Sequence, residues 1–148
     1  GLENLISVEV GDAKQVVLEP DAYNVALCLG AAFVWGHIGD AAAALAAIVG
    51  TGQMVAVGEP FWHQGGRDEH GFVDLPATVA RFESANVDLT GMVAASEDDW
   101  DHYESLHWRA AVEAGGEDVL QMHLGRRASY LNAERAELGW AILTGRVR

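Results

Sequence analysis

The sequence predicts an α/β fold with one mainly parallel sheet and an antiparallel strand near one edge. Two near-continuous apolar runs, residues 23–29 and 54–57, are typical of strands buried on both faces. An alanine-rich segment, residues 41–49, lies between them with a helical pattern. A strand, helix and strand joined by short links form a βαβ unit, so the two strands are expected to be parallel.

Local signals set the expected ends of these elements. Asp40 is expected to cap the helix over residues 41–49, and Gly50 to end it. Gly58 is expected to end the second strand. The other predicted elements are strands at residues 5–10, 89–95 and 139–147, a loop at 63–73, a helix at 75–84 capped by Asp74, a helix from Ser96 to the pair Gly115 and Gly116, and a helix at 117–136 with a weak point at Gly125.

Composition indicates a single globular domain over residues 1–148. The formal net charge of −13 comes from 22 acidic and 9 basic side chains, and such a surface repels nucleic acid and anionic lipid. We therefore expect neither nucleic acid nor membrane as a partner, and no apolar stretch approaches the roughly 20 residues of a membrane span. The lone cysteine, Cys28, excludes an intrachain disulfide and suits a cytoplasmic protein.

Four segments, in order, resemble the class I S-adenosylmethionine-dependent methyltransferases. Residues 8–13 resemble the end of that family's third strand, and residues 23–31 its fourth, although Asn24 stands where the family usually has an acidic residue. Residues 41–60 resemble the helix and fifth strand that follow. Residues 103–109 and 138–141 resemble one bacterial subgroup of small-molecule methyltransferases, so the chain is similar to the carboxyl-terminal half of such an enzyme.

The chain departs from the family at the glycine-rich cofactor turn. None of the 17 glycines forms a Gly-x-Gly-x-Gly-type pattern after a strand. The resemblance therefore implies an incomplete Rossmann-like domain that lacks the first two strands. The family's sheet order is 3-2-1-4-5-7-6, so a gap is expected between the strand at residues 5–10 and the others.

The resemblance implies where the cofactor would bind. Asp12, with Ala13, would contact the adenine amino group, although Gly-Asp is also ordinary turn chemistry. Leu29, Gly30 and Ala31 would line the cofactor cleft at the carboxyl end of a strand, with Gly30 equally acceptable as a strand stop. Because the glycine-rich turn is missing, S-adenosylmethionine is expected to bind weakly if at all.

Candidate substrate-binding residues follow the second buried strand and lie on the helix after Ser96. Glu59 could orient a substrate or take a proton, and Trp62 could form an apolar wall, or both could belong to an ordinary loop. Tyr103 and His107 share a helical stripe, which is also the pattern of core packing. The histidine spacings do not match a zinc pair, so no metal site is expected, and no catalytic residue is identified.

The expected function is methyl transfer from S-adenosylmethionine to a small molecule. This reaction is an in-line displacement that depends on alignment more than on an acid–base pair. Two alternatives remain: a non-catalytic remnant of the fold that binds ligands or partners, and a site completed by a second polypeptide.

The strand at residues 23–29 would lack a neighbour on one side, with neither charge nor proline to protect that edge. We expect a homodimer through this edge, unless residues 5–10 pair with it within one chain.

Overall fold

Four strands form one mixed sheet in a computed structural model that describes residues 1–64 and 71–148 and, of Leu2, only the backbone. The sheet order is β1-β2-β4-β3. β1 pairs in parallel with β2, and β4 is antiparallel to both β2 and β3, so β4 alone is reversed and lies next to the edge. The predicted sheet and the parallel pair are confirmed. The strands are β1 (Val25–Leu29), β2 (Met54–Trp62), β3 (Val87–Ala94) and β4 (Leu138–Val147).

The helices occupy the predicted segments, and the last one carries a wide turn. They are α1 (Ile38–Val49), α2 (Leu75–Glu83), α3 (Glu97–Ala114), α4 (Glu117–Ser129), a π-helical turn (Tyr130–Glu134) and α5 (Arg135–Glu137), with short 3-10 turns at Leu2–Leu5 and Ala32–Val34. Of the predicted loop at residues 63–73, residues 65–70 lie outside the described residues. No helix within 1–64 and 71–148 combines the length and apolar character needed to cross a membrane.

Three caps form as the sequence predicts. The Asp74 carboxylate accepts from the Ala77 backbone N–H at the start of α2. Ser96 and Asp99 form a reciprocal capping box at the start of α3, which satisfies backbone donors that a free helix end leaves unpaired. Gly50 follows α1 with φ 80°, a left-handed conformation that glycine adopts without strain.

The start of α1 differs from the prediction. His37, not Asp40, is the N-cap, and its Nδ1 accepts from the backbone N–H of Gly39 at 3.1 Å and of Asp40 at 3.3 Å. The helix therefore begins at Ile38, and Asp40 lies within its first turn. Asp40 is a strong capping residue by type, but the imidazole acceptor three positions earlier takes that role.

The end of β2 also differs. The strand continues through Gly58 to Trp62 because β4 offers backbone partners over the whole length, up to Trp62 opposite Leu138. Pro60 is tolerated there because β1 ends opposite Gly58 and the next bridge on that side joins Trp62 to Asp74, so no strand of the described structure pairs with Pro60 on that side.

Residues 5–10 do not form the predicted strand. After the 3-10 turn the chain runs without sheet pairing, and the Val10 side chain is fully exposed. β-branched residues favour a strand only where a partner and a buried face exist, and none is provided here. The intrachain pairing with β1 is therefore absent from the described structure.

The predicted weak point at Gly125 is absent as well. α4 passes through Gly125 without a break, and the irregularity lies further on, at the π-helical turn.

The two faces of the sheet are covered differently. On one face α1 and α2 enclose the core, where Ile38, Phe82 and Leu143 are fully buried. On the other face Leu27 remains 63% exposed and Val93 65% exposed. Among the residues that the structure describes, one end of this open face is covered, because Trp100 of α3 packs edge-on against Trp140 of β4. The candidate site lies at this covered end.

Candidate functional site

A cleft of about 540 Å³ lies between the sheet and the α3–α4 pair. From the sheet, Leu29, Gly30, Pro60, Leu138 and Trp140 line it. The register places all of them at one edge, because β1 and β2 end where the antiparallel β4 begins. Ligands of open α/β sheets bind outside the carboxyl ends of the parallel strands, so this is the expected edge for a site.

Gly58 makes room for the Trp140 indole that forms the floor of the cleft. A Cβ atom at Gly58 would lie 2.8 Å from Cζ2 of Trp140 and 3.3 Å from Cδ2 of Leu29. A side chain here would displace the indole or the strand. The absence of a side chain at this position is therefore a requirement of the cleft wall.

Gly30 turns the chain out of β1 at the mouth of the cleft. Its φ is 74°, and its backbone N–H donates to the Gly58 carbonyl at 3.0 Å. A left-handed residue directly after a strand redirects the chain, so that Leu29 and Gly30 line the cleft and the chain does not continue the sheet.

Aromatic rings form much of the helical wall. Trp100 contacts Tyr103 edge-on with 5.5 Å between ring centroids, and it contacts Trp140 at 6.3 Å. Tyr130, at the start of the π-helical turn, closes the far side. The capping box at Ser96 fixes the first turn of α3, and this fixes the position of Trp100.

Two ion pairs hold the helices around the cleft. The Arg126 guanidinium donates to both carboxylate oxygens of Glu104, which is almost completely buried, and this bonding raises the pKa of Arg126. Arg135 donates to both oxygens of Asp101 at 2.8 and 2.9 Å, and its hydrogen bonds lower the pKa of Asp101.

Tyr130 joins the second of these pairs and is held neutral there. Its hydroxyl donates to Asp101 at 2.8 Å. Burial and this hydrogen bond raise the pKa of the Tyr130 phenol. The phenol therefore stays protonated and serves to position the wall.

The structure brings some of the predicted cofactor residues together and separates others. Leu29 and Gly30 line the cleft, and Ala31 follows them and packs against the core. Asp12 and Ala13 lie in an exposed turn, where the Asp12 carboxylate accepts from the Lys14 backbone N–H and from Nε2 of Gln15. The adenine contact of Asp12 remains a prediction, and the local role of its carboxylate is that of a turn residue.

The predicted substrate residues are similarly divided. Tyr103 lines the cleft, and His107 packs on the Tyr103 ring at 4.6 Å without reaching the cleft. Trp62 is buried at the end of β2, beyond the residues that line the cleft. Their substrate contacts stay predictions.

Glu59 lies on the opposite face of the sheet from the cleft. Its neighbours Gly58 and Pro60 face the cleft, whereas Glu59 points toward the start of α1, where the Ile38 backbone N–H slightly lowers the pKa of its carboxyl. The side chain is almost completely buried, and Oε1 has no hydrogen-bond partner among the described residues. Burial raises the pKa of this carboxyl to about 7, against a smaller lowering by Arg81. This placement favours a structural role for Glu59.

Sequence reasoning missed most of the polar cleft residues. Asp99, Glu104, Arg126 and Glu134 all line the cleft, yet they are spread over two helices and a π-helical turn. Glu104 and Arg126 are 22 positions apart, so no helical spacing links them. Trp140 was visible only as part of a family-like segment. Among residues 1–64 and 71–148, no three His, Cys, Asp or Glu side chains are grouped so that they could hold a metal ion.

Comparison with solved structures identifies close matches to this architecture. An S-adenosylmethionine-dependent methyltransferase from Geobacter sulfurreducens, solved with S-adenosyl-L-homocysteine, matches with a TM-score of 0.78 and 29% identity, over 93% of this chain and 63% of that one. A second, from Thiobacillus denitrificans and also solved with S-adenosyl-L-homocysteine, has a TM-score of 0.74 and 27% identity, over 93% of this chain and 63% of that one.

The chain is also similar to YjhP, an uncharacterized protein of Escherichia coli. The two sequences are 28% identical over 80% of this chain and 56% of YjhP. The crystal structure of YjhP matches with a TM-score of 0.76, over 93% of this chain and 64% of that one. No protein-family model matches the chain. The chain thus spans less than two thirds of the length of these relatives.

Over the part that it spans, the chain has the class I fold of S-adenosylmethionine-dependent methyltransferases. Its sheet order corresponds to the 4-5-7-6 side of the family order 3-2-1-4-5-7-6. Two of the matching structures hold S-adenosyl-L-homocysteine, so this fold binds a cofactor of that type.

Proposed function

We propose that the protein is an S-adenosylmethionine-dependent methyltransferase that acts on a small molecule. The observation that carries the proposal is the cleft at the carboxyl ends of β1 and β2, in a fold whose relatives hold S-adenosyl-L-homocysteine. Methyl transfer is an in-line displacement that requires alignment of the acceptor with the sulfonium methyl. A rigid, aromatic-walled cleft without an evident acid–base pair is compatible with that requirement.

Leu29, Gly30 and Ala31 are the residues that would hold one side of the cofactor. Leu29 and Gly30 line the cleft and Ala31 follows them, and the positive φ of Gly30 turns the chain at this point. The bound cofactor would supply an activated methyl group on sulfur. The chain's own contribution is to position the two reactants and to exclude water between the sheet and α3.

We expect weak cofactor binding by these 148 residues. The sequence contains no glycine-rich turn after a strand, and that turn supplies many backbone contacts in this type of site. Each missing hydrogen bond costs about 1 kcal/mol, and about 1.4 kcal/mol corresponds to a factor of ten in affinity. The dissociation constant is therefore expected to be well above the micromolar range.

Titration with S-adenosyl-L-homocysteine, followed by amide NMR signals, tests the proposal. Saturable shifts are expected at residues 29–31. Leu29→Asp should abolish them, because it places a charge in the cleft. Val25→Asp is the matched control, since Val25 lies on the same strand and face, is equally exposed at 52%, and is outside the cleft.

Two results would contradict these expectations. The absence of saturable shifts at millimolar ligand, or equal loss in Leu29→Asp and Val25→Asp, would rule out this cleft as the cofactor site. A micromolar dissociation constant would show that the glycine-rich turn is dispensable here.

The proposal extends to a partner and a location. The free edge of β1, with Val25, Leu27 and Leu29 half or more exposed, supports pairing with a second copy of the chain. The buried, unpaired Cys28 supports a reducing, cytoplasmic environment.

A further inference from the structure

We propose that the cleft binds a small organic cation, an aliphatic amine in its ammonium form. The inference rests on the proposed function only in that this amine would be the methyl acceptor, once its ammonium group has released one proton to solvent and freed the nitrogen lone pair. The binding itself can be measured without the cofactor. The inference is carried by three features around one cavity: aromatic rings, carboxylates, and a guanidinium that is already hydrogen-bonded to one of those carboxylates.

The charge balance of the cleft favours a cation. Three carboxylates line it, from Asp99, Glu104 and Glu134, against one guanidinium, from Arg126. Arg126 already donates to both oxygens of Glu104, so those two charges compensate each other. Arg126 also interacts electrostatically with Glu134, but the lining still holds two more carboxylates than guanidinium groups, and an anionic ligand would find no unpaired cation among the residues that line it.

The two remaining carboxylates each have an oxygen available. Asp99 uses Oδ2 to accept from both the backbone N–H and the hydroxyl of Ser96, which lowers its pKa and keeps it ionised. Glu134 uses Oε1 to accept from the Ser129 hydroxyl at 2.7 Å. The second oxygen of each has no hydrogen-bond partner in the described parts of the chain.

Aromatic rings complete the recognition. Trp100, Tyr103 and Trp140 meet edge to face within the cleft. The faces of aromatic rings attract ammonium groups, most strongly for tryptophan and where water is excluded. An amine with a short hydrocarbon chain would thus gain apolar contact from the rings and charge neutralisation from Asp99 and Glu134. The cavity of about 540 Å³ is of the size that small-molecule ligands occupy.

A set of three probes of one shape tests the inference: 3,3-dimethylbutylamine, 3,3-dimethylbutanol and 3,3-dimethylbutanoate. They present a cation, a neutral group and an anion on the same hydrocarbon. NMR titration of the tryptophan indole N–H signals is expected to give a dissociation constant for the amine at least tenfold below that of the alcohol. The acid should not saturate, and 0.5 M NaCl should weaken the amine several-fold.

Variants separate charge recognition from general stability. Glu134→Gln should raise the dissociation constant of the amine about fivefold, and Trp100→Leu should raise it by more. Asp98→Asn is the control for removal of a charge, because Asp98 is exposed in the first turn of α3 beside Asp99 but does not line the cleft, and it should change binding less than twofold.

Equal affinity for the amine and the alcohol would overturn the inference, as would equal effects of Glu134→Gln and Asp98→Asn. Failure of the proposed function has a different signature, since S-adenosyl-L-homocysteine would then fail to shift residues 29–31 while the amine still shifts the Trp100 and Trp140 indole signals.

Discussion

Arg126 of α4 clamps Glu104 of α3 through two hydrogen bonds, 2.7 Å from Nη2 to Oε1 and 3.3 Å from Nε to Oε2. The Glu104 side chain is 4% exposed and that of Arg126 is 48% exposed. The pair therefore buries a carboxylate whose charge is compensated by a partner that still reaches water.

Arg126→Met is expected to destabilise the protein by about 2 kcal/mol, because it leaves the buried Glu104 carboxylate uncompensated. This is below the roughly 3–5 kcal/mol typical of fully buried pairs, since Arg126 is half exposed. Urea unfolding measures the change. Arg109→Met breaks the exposed Arg109–Glu113 pair within α3 and should cost under about 0.5 kcal/mol. Equal costs for the two variants would contradict the buried role of Glu104.

Glu59 should make the protein less stable as pH rises through about 7. Burial raises the folded-state pKa of this carboxyl from 4.5 to about 7. The contribution of the protonated carboxyl to the free energy of unfolding is therefore present at pH 4 and is lost above pH 7. The loss between pH 4 and pH 8 is expected to approach about 3 kcal/mol.

Glu59→Gln keeps the size of the side chain but cannot ionise, so its unfolding free energy should lack this pH dependence and exceed that of the wild type at pH 8. Glu9→Gln, at an exposed position, should leave the wild-type profile unchanged. A wild-type profile that stays flat from pH 4 to 8, or one that Glu59→Gln does not alter, would count against the buried carboxyl.

Two glycine substitutions should change the free energy of unfolding in opposite directions. Gly58→Ala places a Cβ 2.8 Å from the Trp140 indole and should cost about 1–3 kcal/mol through overpacking. Gly125→Ala meets nothing within 4 Å inside α4 and should stabilise by about 0.8–1 kcal/mol, because alanine is the better helix former. Urea midpoints at constant slope measure both. Stabilisation by Gly58→Ala would show that Trp140 is not confined by β2.

Self-association should depend on β1. Sedimentation equilibrium at about 50 µM is expected to show a dimer, because the unpaired strand edge offers backbone partners to a second copy. Leu27→Lys adds a charge to this strand and should shift the mass to that of a monomer, whereas Val10→Lys, in the exposed amino-terminal segment, should not. A monomeric wild type would exclude the dimer.

The elements that sequence predicts well are those with a local cause. Ser96, Asp74 and Gly50 bound their helices through contacts within a few residues, so the pattern of the chain is sufficient. Residues 5–10 and Gly58 show the opposite case. Residues 5–10 have the composition of a strand but no partner strand in the described structure. Gly58 is a residue type that often ends a strand, but pairing with β4 continues β2 through it.

The candidate site shows the same division. Leu29 and Gly30 are predictable because the carboxyl end of a parallel strand is a known location for ligands. Arg126 and Glu134 are not, because they reach the cleft only through the way α4 and the turn after it fold back on α3. His37 is a further example: histidine is not among the preferred capping residues, and only its orientation reveals that it caps α1.

The π-helical turn at Tyr130–Glu134 sets the angular phase between α4 and α5. Such a turn holds one residue more than an ordinary helical turn, and each residue of an α-helix advances the chain by about 100°. Deleting Ala133 would rewind this turn and rotate α4 by about 100° relative to α5. If Arg135 then kept its ion pair with Asp101, Arg126 would be rotated away from Glu104. A continuous helix without the extra residue therefore cannot form the Arg135–Asp101 and Arg126–Glu104 ion pairs at the same time. A shortened chain that retained the wild-type melting temperature would show that the phase is adjusted elsewhere.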